Sequence, residues 1–241
     1  MSRQPAVLAL DTATDYCSAA LLARGSSWER VERAGQRHTE LLLPMVASLL
    51  DEAGFGITDI DVIGFGSGPG SFTGLRIACG VAQGLAWATE IPVVPVGNLR
   101  ALAAAAMAES PQAQRVLCAM DARMSEAYCG IYSRDNGLDQ LIEIEPPMLA
   151  EPGELADLAR ANACDLVAGD ALAVYPDVWP EGGVLGVRVS PQQVASAAWI
   201  ARLAAADFLA GRAIKPEFAA PLYVRDRVAL TMAQRAAGER L

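Results

Sequence analysis

The chain has 241 residues, 53% hydrophobic and 20% charged, and its 28 acidic and 19 basic side chains leave a formal net charge of −9. That composition describes a soluble globular protein with core enough for one large domain or two lobes. The acidity excludes a protein that grips nucleic acid unaided through a basic face, since phosphate neutralisation supplies much of such affinity.

In chain order, Val7–Leu10 reads as a short buried strand, followed by a polar turn from Asp11 to Tyr16. Cys17–Ala23 and Trp28–Arg33 read as two further strands. From His38 to Ala53, Leu41, Leu42, Met45, Val46, Leu49 and Leu50 recur at helical spacing, and Gly54 ends the helix. An apolar strand at 61–66 leads through a Gly-rich turn into a helix over Leu75–Ala88. A strand at Ile91–Val96 and an alanine-rich helix from Asn98 follow. The Glu109–Gln114 segment, with Pro111, is the expected boundary between an N-terminal lobe, 1–110, and a C-terminal lobe, 111–241.

The order then restarts. Val116–Asp121 echoes the first strand, again closed by an aspartate; Ala127–Tyr132 echoes the second and Leu141–Glu145 the third. A helix over Glu151–Ala161, introduced by Pro152, and a strand at Asp165–Gly169 complete a second βββαβ unit. Pro191–Leu209 is the last long helix and is expected to pack back near the lobe junction. Two such units predict a duplicated α/β fold with mixed sheets, a pattern that resembles the actin, Hsc70 and acetate-and-sugar-kinase (ASKHA) superfamily.

The stretch Gly68-Pro69-Gly70-Ser71-Phe72-Thr73-Gly74-Leu75-Arg76 is the most specific segment. A strand, a Gly-rich turn and a helix N-terminus in that order gather backbone N–H groups and a positive dipole end at one point. The turn can therefore cradle an anion or hold a partner's loop. It can equally be a tight connection that needs glycine for positive φ. It is no Walker A loop, because no Gly-Lys-Ser or Gly-Lys-Thr ends it.

No apolar run approaches the ~18–20 residues of a membrane span, and the N-terminus lacks the pattern of a signal peptide. Cys17, Cys79, Cys118, Cys129 and Cys164 are odd in number, lack CxxC spacing and sit in apolar runs. They are expected to be buried free thiols of a cytoplasmic protein.

The Gly68–Arg76 string closely resembles the signature of the bacterial TsaB (YeaZ) family. Further matches fall in order at Leu8–Thr12, at His38-Thr39-Glu40-Leu41-Leu42-Leu43-Pro44, at Asp121-Ala122-Arg123 and at Pro221-Leu222-Tyr223-Val224-Arg225. The resemblance covers almost the whole chain. It implies the two-lobe ASKHA fold and a non-catalytic partner of the threonylcarbamoyltransferase TsaD. With a TsaE-like ATPase, that assembly forms threonylcarbamoyladenosine at position 37 of tRNAs reading codons that start with A. The resemblance also implies that tRNA is met through the complex and that the chain is a homodimer when alone. An ASKHA-type small-molecule kinase acting alone is the alternative.

In that superfamily the first hairpin, here Asp11-Thr12-Ala13-Thr14, contacts nucleotide phosphates through backbone amides. Ala13 stands where glycine is usual and adds a Cβ at the point of approach. Asp11 either holds a metal-bound water, as in an active kinase, or caps the turn. Asp11, Thr12, Gly68, Gly70, Ser71, Thr73, Gly74 and Arg76 are thus the turn residues expected nearest to any nucleotide. Arg123 is expected to pair with Asp121 or Glu126.

TsaD carries the motif His-His-x-x-Gly-His after the helix that follows its own Gly-Pro-Gly turn. The corresponding ligand positions here fall on Asn98 and Leu102, and leucine cannot bind a divalent cation. His38 is the one histidine, so a bis-histidine site is excluded, and it is expected to be a locally bonded helix residue. The same poverty excludes a metalloprotease and leaves no base beside a serine or cysteine nucleophile. No catalytic residue, metal or cofactor is expected. The helix over 75–88 is apolar almost all round, with Gly80 and Gly84 permitting close helix approach. Leu75, Ala78, Val81, Ala82 and Leu85, with Leu42 and Met45 from the 38–53 helix, are the expected partner interface.

Overall fold

The computed structural model describes residues 4–135, 137–178, 188–190 and 195–225. The first half holds β1 (Val7–Asp11), β2 (Tyr16–Ala23), β3 (Ser26–Arg33), α1 (His38–Ala53), β4 (Val62–Gly68), α2 (Phe72–Thr89), β5 (Val93–Gly97) and α3 (Asn98–Glu109). The second holds β6 (Arg115–Asp121), β7 (Ala127–Arg134), β8 (Leu141–Ala150), α4 (Leu155–Ala161), β9 (Leu166–Ala168), α5 (Ala171–Val174), β10 (Arg188–Ser190) and α6 (Ala197–Leu209).

The duplication is literal. One sheet has the order β3-β2-β1-β4-β5, and the other, read from its own third strand, β8-β7-β6-β9-β10. In each, the first three strands pair antiparallel and the last two add in parallel. This is the two-lobe ASKHA-like architecture with mixed sheets. The fifth strand of the second sheet, β10, and the short α5 are elements that periodicity did not reveal.

Alternation along the strands explains the layering. Leu8 and Leu10 of β1 face a core shared with Leu42, Leu49 and Ala82 of α1 and α2. Val7 and Ala9 face the other way, onto Ile200, Leu203 and Ala204 of α6 and Ala101 and Ala104 of α3. In the second sheet, Val116 and Cys118 meet Leu99, Leu102 and Met107 of α3. Leu117 and Ala119 pack on Leu155, Ala159, Ala171 and Leu172 of α4 and α5. Both sheets are therefore covered on two faces, which is why β1 and the middle of β6 read as unbroken apolar runs.

The helices cross between the halves. α6 follows the second sheet in the chain but packs on the first, whereas α3, inside residues 1–110, packs on both, with Ala101 and Ala104 towards the first and Leu99, Leu102 and Met107 towards the second. Arg100 of α3 joins them through Asp207 of α6, at 2.7 and 3.1 Å. In space, then, the boundary expected at 109–114 does not separate two self-contained units.

Element ends differ modestly from the sequence expectations. α2 begins at Phe72 rather than Leu75, because the Ser71 hydroxyl caps it by accepting from the Gly74 amide at 3.3 Å. The expected 151–161 helix divides into a tight turn at Pro152–Glu154 and α4. α6 begins at Ala197; residues 191–194 of the expected helix lie outside the described residues.

Candidate functional site

Three segments of the first lobe converge behind the cleft between the lobes: the end of β1, the β4–α2 turn and the start of α3. Asp11 is buried there, and its Oδ1 accepts from Asn98 Nδ2 at 2.8 Å and from the Ala13 amide at 3.4 Å. Asn98 is also buried, and its Oδ1 accepts from the Gly68 amide at 2.7 Å. Both ends of the Asn98 side chain are thus engaged. Burial pushes the Asp11 carboxyl up to about 6, against the hydrogen bonds from Asn98 and the backbone that favour its charged form. Gly66 leaves room for this pair, since a Cβ there would lie 2.1 Å from Asp11 Oδ1.

The β4–α2 turn closes onto the first hairpin. The Ser71 amide donates to the Ala13 carbonyl at 2.7 Å, and the Thr12 hydroxyl donates to the Gly74 carbonyl at 2.7 Å. Space, rather than positive φ, dictates two of the glycines. A Cβ at Gly70 would sit 2.6 Å from the Ala13 carbonyl oxygen, and one at Gly74 would sit 1.8 Å from that of Thr12. Gly68 alone of the three is left-handed, at φ +122°. The two loops that would form an anion cradle hydrogen-bond to each other instead.

The cleft itself encloses about 690 Å³. Ala13, Thr14, Pro69, Gly70, Ser71 and Phe72 form its first-lobe wall, and Met120, Asp121, Arg123, Tyr128 and Asp170 its second-lobe wall. Of the expected turn residues, Gly70 and Ser71 line it. Asp11, Thr12, Gly68 and Gly74 lie behind the wall, a correction whose cause is the mutual packing just described. Thr73 and Arg76 are exposed on α2. The Arg76 guanidinium lies 3.7 Å from the Phe72 ring centroid, and its Nε donates to the Tyr223 hydroxyl at 2.9 Å.

The second-lobe wall is tied as well. Asp121 accepts from the Tyr175 hydroxyl at 2.7 Å and from the Arg123 amide at 2.9 Å, and it pairs with the Arg123 guanidinium at 3.3 Å. Its own amide donates to Asp170 at 2.9 Å, and burial raises the Asp170 carboxyl. Glu126, the other expected partner of Arg123, instead pairs with Arg225. No local pattern marks Arg225 as buried or paired, yet its side chain is only 12% exposed. Tyr175 was also missed, since an isolated tyrosine carries no motif.

The expected interface residues need sorting. Leu42, Met45 and Ala82 are buried in the core against the first sheet, and Ala78 and Leu75 are buried within the chain as well, Leu75 at the cleft wall. This corrects their assignment to a docking surface: their spacing marks the face that α1 and α2 turn to the sheet. Val81 and Leu85 are half-buried. The small and apolar residues exposed along the rest of α2 are Gly80, Gly84, Trp87 and Ala88, and those exposed on α1 are Leu43, Pro44 and Ala47. A Cβ at Gly80 or Gly84 would meet nothing within 4 Å.

The metal positions are filled by structure. Leu102 is fully buried in the core against the second sheet, and Asn98 is held as above. These donors do not fit a divalent cation. His38 is buried and its Nε2 donates to the Thr14 carbonyl at 2.9 Å, so it braces the first hairpin rather than bonding within its own helix.

Residues 32–172 match the family model of TsaD, described as tRNA N6-adenosine threonylcarbamoyltransferase. The tRNA threonylcarbamoyladenosine biosynthesis protein TsaB of Haemophilus influenzae is 36% identical over 92% of this chain and 94% of that protein. Its namesake from Escherichia coli K12 is 36% identical over 92% of this chain and 96% of its own. The solved structure of YeaZ from Pseudomonas aeruginosa superposes with a TM-score of 0.82 at 38% identity, covering 91% of this chain and 99% of that one. Similarity of this extent, over more than nine tenths of both chains in each case, establishes that the chain belongs to the TsaB (YeaZ) family of tRNA threonylcarbamoyladenosine biosynthesis proteins.

Proposed function

We propose that this chain is a non-catalytic subunit that binds and activates a TsaD-like threonylcarbamoyltransferase, supporting threonylcarbamoyladenosine formation at position 37 of tRNAs reading codons that start with A. The observation that carries the reading is the Asp11–Asn98 pair. A carboxylate that is to hold a metal-bound water, or take a proton from a substrate, must face the cleft. This one is buried and engaged by an amide at the position where TsaD carries a ligand. The same observation disfavours the small-molecule kinase. No step of the reaction is assigned to a residue of this chain.

The subunit's contribution is then a surface. The exposed strip of α1 and α2, small or apolar at Gly80, Gly84, Ala88, Leu43 and Ala47, suits a helix-to-helix contact. Covering it gains roughly 25 cal/mol per Å² of apolar area. A TsaD-like subunit covers it in the working assembly, and a second copy of this chain covers it when that partner is absent. A TsaE-like ATPase completes the complex in the cytoplasm. With a net charge of −9, the chain meets tRNA through its partners.

Sedimentation velocity tests the exchange of partners: the isolated chain is expected as a homodimer, converting to a heterodimer on mixing with the TsaD-like subunit. Calorimetric titration with ATP separates the kinase reading. No binding is expected from the chain alone, and stoichiometric binding would favour the kinase.

A further inference from the structure

The segment after α6 returns across the first lobe and ends on the second. Ile214 pairs with Val93 on the outer edge of β5 through hydrogen bonds of 2.9 and 2.8 Å. Gln83 of α2 donates to the Pro216 and Ala219 carbonyls at 3.1 and 3.0 Å. The Leu222 amide donates to the Ser67 carbonyl at 2.6 Å, and the Tyr223 ring lies 5.4 Å from that of Phe72. Two residues later the chain has crossed the cleft mouth. Arg225 donates to the Arg123 carbonyl at 3.4 Å and forms an ion pair with Glu126.

The turn it reaches is an unusual one. Arg123, Met124 and Ser125 are consecutive non-glycine residues at φ +62°, +58° and +58°. Such residues rarely enter the left-handed region, and three in succession persist only where neighbours over-determine them. Within the second lobe the turn is closed by Ala122 N to Glu126 O at 2.9 Å and Glu126 N to Arg123 O at 3.1 Å. Asp121 also holds the Arg123 amide and guanidinium, and the Tyr175 hydroxyl donates to the Glu126 carbonyl at 3.3 Å. The restraint from outside the lobe comes from Arg225, whose guanidinium is carried by a segment fixed to the first lobe.

We infer that residues 214–225 form an interlobe strap, and that Arg225 on the 122–126 turn is its latch, fixing the opening of the cleft. Fastened at Val93, Gln83, Ser67 and Arg76 on one lobe and at Arg123 and Glu126 on the other, the strap resists the hinge motion by which two-lobed proteins open and close. This goes beyond the proposed subunit role and does not depend on it, because the latch belongs to the chain by itself.

The test uses the full-length chain without partners. Spin labels on Thr39→Cys and Asp157→Cys, both exposed and one on each lobe, report the interlobe distance. An excess of unlabelled chain suppresses distances between copies. The native chain is expected to give one narrow distribution, and Arg225→Ala about twice the width. Hydrogen exchange in residues 121–128 should also quicken by about tenfold in that variant, while β1 stays protected. Glu126→Gln should broaden the distribution as Arg225→Ala does, and the charge exchange Arg225→Glu with Glu126→Arg should narrow it again. An unchanged distribution in Arg225→Ala with native exchange overturns the strap. A charge exchange as broad as the single variants overturns the ion pair as its latch.

Discussion

The Asp11 carboxylate and the Asn98 side-chain amide, 87 residues apart in the sequence, meet at 2.8 Å within the first lobe, and both are buried. Asn98 also holds the Gly68 amide, so one side chain joins the end of β1, the β4–α2 turn and the start of α3. The residues that resemble nucleotide-binding machinery serve here to fasten the lobe's own loops together.

That pair makes stability depend on pH in a definite direction. The Asp11 carboxyl rises from an ordinary 3.8 to about 6 on folding because burial disfavours its charge. The folded state therefore holds the proton more tightly than the unfolded one. Its contribution is fully present below about 3.8 and is lost as pH rises through about 6, a difference of about 3 kcal/mol. Asp11→Asn keeps the shape and the accepting oxygen but removes the titration. The variant is expected to be more stable than the native chain by about 1–3 kcal/mol at pH 7.5, with the gain fading towards pH 4. Urea unfolding at both pH values checks this, and a difference independent of pH would contradict it.

Gly74 and Gly80 lie on the same helix and should respond oppositely to alanine. At Gly74 the new Cβ would stand 1.8 Å from a backbone oxygen, which cannot move without shifting the first hairpin. A loss of about 3 kcal/mol or more is expected. At Gly80 it would meet nothing within 4 Å, so the helix-propensity gain of about 0.5–1 kcal/mol should appear unopposed. Thermal unfolding of the two variants reads both signs.

How much of this was legible in the sequence follows from what kind of signal each part carries. Strands buried on both faces and amphipathic helices announce themselves by periodicity, so β1 to β7 and α1 to α3 fell within a few residues of their places. β10, three residues long, carries no period. The site divides the same way. Gly-Pro-Gly and Asp-Thr marked the turns, but only the three-dimensional packing reveals that they fill each other. Apolar residues at 75, 78, 82, 42 and 45 look the same whether they face a sheet or a partner. The relevant clue was that Gly80 and Gly84 fall off that stripe. Arg225 reaches its partners across 99 to 102 residues, a relationship no local pattern encodes.

Glutamate substitutions at Ala82 and Gly84 should separate core from surface. Ala82 is fully buried against the first sheet, so Ala82→Glu is expected to cost several kcal/mol and to unfold the lobe. Gly84→Glu is exposed and should leave the unfolding midpoint within about 0.5–1 kcal/mol of native. It should weaken the homodimer and the heterodimer together by about tenfold, since one face serves both. Sedimentation of Gly84→Glu with and without the partner decides, and the loss of one assembly alone would show two separate faces.

The most direct measurement is threonylcarbamoyladenosine formation on a substrate tRNA, with threonylcarbamoyl-adenylate, a TsaD-like subunit and a TsaE-like ATPase, in the presence and absence of this chain. Formation is expected to need the TsaD-like subunit absolutely, to rise by about tenfold or more when this chain is added, and to survive Asp11→Asn in it. Product made by this chain without the TsaD-like subunit, or abolished by Asp11→Asn in a complex that still assembles, would contradict a non-catalytic role.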